Sequence, residues 1–79
     1  MSESVGEMAR TLLCRIADEV EAPGASVPVS DVEVVATARQ VGEGADALVF
    51  AAAYASLPRV EDGETRGAYA GRLRAEVAL

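Results

Sequence analysis

In 79 residues the chain sets thirteen acidic side chains against seven basic ones, a net charge of -6, and every basic residue is Arg, with no Lys, His or Trp. Without an imidazole or a lysine amine, the usual general base near neutral pH and the usual Schiff-base nucleophile are both missing. This argues against an enzyme and for a protein that works through its surface. Hydrophobic residues make up 51% of the chain, too many for disorder at this charge, yet the aromatics are only Phe50, Tyr54 and Tyr69, so the core must rest on Val, Leu, Ile and Ala.

In chain order, Val5, Met8, Ala9, Leu12, Leu13, Ile16, Ala17 and Val20 recur at i, i+3, i+4 and i+7 and predict a helix over residues 4–22. Ser4 and Glu7 have capping-box spacing at its start. Pro23-Gly24 breaks the helix, and residues 23–29, with Pro28, read as an extended linker. Ser30 and Glu33 repeat the capping spacing and open a second helix over 31–41. Its run of β-branched residues, Val32, Val34, Val35, Thr37 and Val41, also suits a strand. The alternative is therefore an α+β fold, with a β-hairpin in 31–55 packed by the terminal helices. Gly42 to Gly44 supply residues able to take positive φ.

Residues 45–57, ADALVFAAAYASL, are apolar all round and predict a central helix covered on most sides. Pro58 ends it, 58–63 is a charged loop turning at Asp62-Gly63, and a last helix over 64–78 carries Tyr69, Ala70, Leu73 and Val77 on one stripe. Gly67 and Gly71 weaken this helix, so docking must hold it. The expected fold is mainly α, a small single-domain bundle of about four helices. A chain of this length buries only about 60% of its unfolded surface, so a partner or a homodimer would add to its stability.

Charge is unevenly distributed. Residues 1–64 hold twelve acids and four Arg, whereas 65–79 hold Arg66, Arg72 and Arg74 against Glu76. A helical wheel places Glu3, Glu7, Asp18 and Glu21 opposite the apolar stripe of the first helix. Together with Asp31, Glu33 and Glu43 they form the candidate surface for a protein partner with a basic face. If that face normally holds phosphates, binding would compete with nucleic acid. Small acidic phage proteins that block nucleic-acid-binding machinery, anti-CRISPR proteins among them, share this general profile. A solvated face that serves only solubility is the plainer expectation for the same carboxylates, and the three C-terminal Arg are read as complementing the dipole of their own helix.

The two middle helices around Gly42 to Gly44 resemble a helix-turn-helix, but 45–57 offers Asp46 and no Arg, Lys, Asn or Gln to phosphates or bases, so no direct nucleic-acid binding is expected. Gly44-Ala45-Asp46-Ala47-Leu48 resembles the GxDSL stretch of acyl carrier proteins, which are also small acidic helical bundles. That family modifies a Ser hydroxyl where this chain has Ala47, so the resemblance implies no carrier activity and no cofactor. Cys14 falls on the polar side of the first helix as a lone surface thiol, and Glu61, Asp62 and Glu64 lack the spacing of a calcium loop, so no metal is expected. One cysteine, and no apolar run near the roughly 20 residues of a membrane span, point to the cytoplasm.

Overall fold

The computed structural model describes residues 4–78, which form four helices: α1 (Val5–Glu21), α2 (Asp31–Val41), α3 (Ala47–Ala55) and α4 (Arg66–Ala78). Each of the first three starts at a side-chain cap. Ser4 Oγ accepts the Glu7 N–H at 3.1 Å, Ser30 Oγ accepts the Glu33 N–H at 3.3 Å, and Asp46 Oδ1 accepts from Leu48 and Val49 at 2.8 and 3.4 Å. These caps satisfy backbone donors that the first turn of a helix leaves without partners.

Residues 31–55 form two helices, α2 and α3, joined by a turn, and the hairpin is not adopted. Between its caps the segment keeps Ala, Arg and Gln, whose helix preference offsets the few tenths of a kcal/mol each β-branched residue costs. The third helix is shorter than the sequence suggests, with Asp46 as its cap and Ser56 closing it.

α1 is the hub, packing against α4, α3 and α2. Of its predicted stripe, Ala9, Leu12, Leu13, Ile16, Ala17 and Val20 are buried, Met8 is half-buried and Val5 is exposed. The buried part meets Val34 and Ala38 of α2, Val49 and Ala53 of α3, and Tyr69, Ala70 and Leu73 of α4. The expectation that the apolar third helix is central is therefore corrected. α3 lies at the surface, leaving Ala47, Ala51, Tyr54, Ala55 and Leu48 exposed, Leu48 by 70%. An Ala side chain removes little area from water when covered, so a run of Ala leaves a helix free to lie outside the core.

The linker does more than connect. Its carbonyls take the early N–H groups of α4: Arg66 N–H donates to Val27 O at 2.8 Å and Gly67 N–H to Ala25 O at 2.8 Å, while Val29 N–H donates to Glu64 O at 3.0 Å. Thr65 Oγ1 accepts the Ala68 N–H at 3.2 Å, and Pro28 and Thr65 form an isolated antiparallel bridge. A Cβ on Gly67 would come within 2.8 Å of Ala25 Cβ, so only glycine lets the two segments approach this closely. The α2–α3 turn uses its glycines differently. Gly44 takes φ +85°, but Gly42 has φ -81°, and its requirement is steric: a Cβ there would lie 2.3 Å from the Phe50 ring.

Candidate partner-binding surface

The fold disperses the seven carboxylates singled out from the sequence. Glu3 lies outside the described residues. Glu7 is exposed in the first turn of α1, and Glu43 is exposed in the turn after α2. Asp31 turns to the loop after α3, where its Oδ1 accepts the Val60 N–H at 3.0 Å. Glu33 reaches back to the Ser30 hydroxyl at 3.0 Å with one oxygen and pairs with Arg66 through the other. Asp18 and Glu21, at the C-terminal end of α1, share the guanidinium of Arg74 at 2.7 and 3.3 Å.

All three arginines of α4 are thus spent on carboxylates, not on the end of their own helix. Arg66 is the most deeply placed. It is 8% exposed, donates from Nη1 to Val20 O at 3.1 Å, and pairs through Nη2 with Glu33, while its Nε is buried with no acceptor. Val20 O belongs to the last turn of α1, which carries no basic residue of its own, so Arg66 brings a cation to a helix end that favours one.

Arg72 sits 2.7 Å from Glu64 and 3.7 Å from Glu61 and also donates to Arg59 O at 3.3 Å. Burial of the Glu64 side chain, 6% exposed, would by itself raise its pKa. Hydrogen bonds from the Arg72 guanidinium and the Glu61 N–H, with the Arg72 charge, outweigh that and hold the carboxyl below the ordinary glutamate value. The same hydrogen bond makes Arg72 keep its proton more tightly, and those to Asp18 and Glu21 do so for Arg74.

A furrow runs between α1 and α2. One cleft is lined by Arg15, Asp18, Glu19, Gln40 and Val41, and a second, of about 380 Å³, by Glu19, Ala22, Glu33, Thr37, Gln40 and Arg66 among others. Glu19 and Gln40 are the wall the two share. Among the described residues neither Glu19 nor Arg15 is in an ion pair, whereas Asp18 and Glu33, which flank Glu19, pair with Arg74 and Arg66, so three carboxylates and two arginines line the furrow. Sequence reasoning left Glu19 out because the wheel places it on the flank of α1 and not opposite the stripe. The signal was present in the run Asp18-Glu19-Glu21 beside a break, where a following helix must fold back.

Cys14 is exposed and unpaired, as its wheel position suggests. No group of three or more His, Cys, Asp and Glu is placed to hold a metal ion among the described residues, and Glu64 of the acidic loop is committed to Arg72. α3 presents no charged side chain between Ala47 and Ala55. No helix among the described residues is long and apolar enough to cross a membrane. Comparison with models of known protein families, with curated proteins and with solved structures yields no match to this chain.

Proposed function

We propose that this protein is a non-enzymatic inhibitor or adaptor that binds a protein partner, seating a basic segment of that partner along the α1–α2 furrow. Glu19 carries the proposal: it is a carboxylate without an ion-pair partner among the described residues, on the wall shared by two adjoining clefts, with Asp18 and Glu33 beside it. Carboxylates outnumber arginines along the furrow by three to two, Asp18, Glu19 and Glu33 against Arg15 and Arg66. A concave site with net negative charge attracts guanidinium and ammonium groups more strongly than a convex one, because low-dielectric walls focus the field. Where the partner's basic face ordinarily binds phosphates, the protein would displace nucleic acid from it, which is how a phage inhibitor of the anti-CRISPR type would act. Glu7, Asp31 and Glu43 lie away from the furrow and serve solubility or local structure.

The test is a titration of a fluorescently labelled oligoarginine peptide by anisotropy at rising salt. Because the screening length shrinks from about 30 Å at 0.01 M to about 3 Å at 1 M, the affinity should fall steadily. Binding that is the same at both ends of that range would refute the charge-driven mode. A second reading is favoured by α3, whose uncharged outer face carries Leu48 at 70% exposure: a homodimer or assembly subunit that covers this face. A mass from light scattering that stays at 8.2 kDa as concentration rises would exclude the dimer.

A further inference from the structure

Arg74 holds one carboxylate of the furrow, Asp18, together with Glu21 three residues further along α1, in the way a partner's arginine would. Its Nη2 lies 2.7 Å from Asp18 Oδ1 and 3.3 Å from Glu21 Oε1, linking positions 56 and 53 residues apart in sequence. Asp18 also lines the furrow next to Glu19. We propose that Arg74 is an internal competitor, a built-in guanidinium that holds Asp18 and Glu21 until a basic partner displaces it. This rests on the furrow being the partner-binding surface.

Two features make Arg74 suited to yield. Its side chain is 40% exposed and that of Asp18 is 70% exposed, so the pair stands in water, where such contacts are weak and exchange readily. α4 does not need the pair in order to dock, because Tyr69, Ala70 and Leu73 are fully buried beneath it and Arg66 and Arg72 have their own partners. Arg66 is the contrast: with its side chain only 10% exposed and bonded to the backbone of α1, it belongs to the fold. The pairing keeps the excess acid of the α1 end partly neutral in the free protein and lowers its pull on weakly basic surfaces. A partner that brings several arginines outcompetes a single tethered one, so the contact favours multiply basic segments over isolated cations.

The experiment compares Arg74→Gln with Arg39→Gln and Arg59→Gln, using the labelled oligoarginine peptide at fixed low salt. All three substitutions remove one positive charge, and neither Arg39 nor Arg59 is in an ion pair among the described residues, so the controls report the effect of net charge alone. Arg74→Gln should tighten binding by roughly two- to fivefold beyond either control, the range expected for releasing an exposed ion pair. In a background carrying Asp18→Asn and Glu21→Gln, the same substitution should give no gain beyond the controls. Thermal melts of each variant would establish that the fold is retained. If wild type binds and Arg74→Gln tightens no more than the controls, the internal competitor is overturned while the furrow stands. If neither wild type nor any variant binds, the furrow itself is overturned and the competitor with it.

Discussion

Arg66 shows how one side chain can organise a molecule with a thin core. It joins the last turn of α1 to the first turn of α2 from the first position of α4, a place where a cation is disfavoured by its own helix. The cost is offset by the Val20 carbonyl and the Glu33 carboxylate, although the buried Nε remains without an acceptor. Arg66→Ala would leave Val20 O unbonded and Glu33 unpaired. Because the Glu33 side chain is 47% exposed, the loss should fall below that of a fully buried pair, about 2–3 kcal/mol by urea denaturation. Tyr69 makes a second residue-level prediction. Its ring is fully buried, its hydroxyl donates to Pro58 O at 2.7 Å, and burial pushes the phenol up to about 12 from an ordinary 10.0. The folded protein keeps this proton where the unfolded chain has lost it, so the contribution is complete below pH 10 and declines as pH rises toward 12. Chemical denaturation at a series of alkaline pH values should show that decline, and Tyr69→Phe should lessen it.

At the scale of elements, most of the helices are legible in the sequence and their arrangement is less so. Ser4 and Ser30 cap where their spacing says they should, and the α1 stripe is buried from Ala9 to Val20, with Val5 exposed and Met8 half-buried at the helix start, because both signals are local. The position of α3 was not legible: a segment apolar on all sides gives no period to say which side faces inward, and its many Ala bury too little area to force the matter. The pairings of α4 were equally hidden, since Arg66 to Val20 and Arg74 to Asp18 span 46 and 56 residues. The glycines separate into two kinds that composition alone cannot distinguish. A Cβ on Gly71 of α4 would meet nothing within 4 Å, so Gly71→Ala should stabilise the protein by about 0.5–1 kcal/mol through lost unfolded-state freedom. Gly42→Ala drives a methyl into the Phe50 ring and should destabilise by about 1–3 kcal/mol. Thermal melts of the two variants, shifting in opposite directions, would check both.

For the whole molecule, the net charge of -6 stands, but internal pairing decides where its carboxylates are free. The arginines of the last helix fold back onto α1, α2 and the acidic loop, so four of the seven carboxylates first singled out are engaged within the chain: Asp18, Glu21, Asp31 and Glu33. Counting charge in the sequence could suggest a sticky surface, but only the packing of α2 back along α1 makes a furrow of it and brings Glu19 forward. The central claim is that this placement, and not net charge, governs binding. The most direct measurement compares Glu19→Arg with Asp62→Arg, two reversals of equal charge at exposed positions, one in the furrow and one in the loop turn. Glu19→Arg should weaken oligoarginine binding by roughly fivefold or more relative to Asp62→Arg, about 1 kcal/mol. Equal weakening by the two would contradict the claim and leave the acids of this protein to solubility alone.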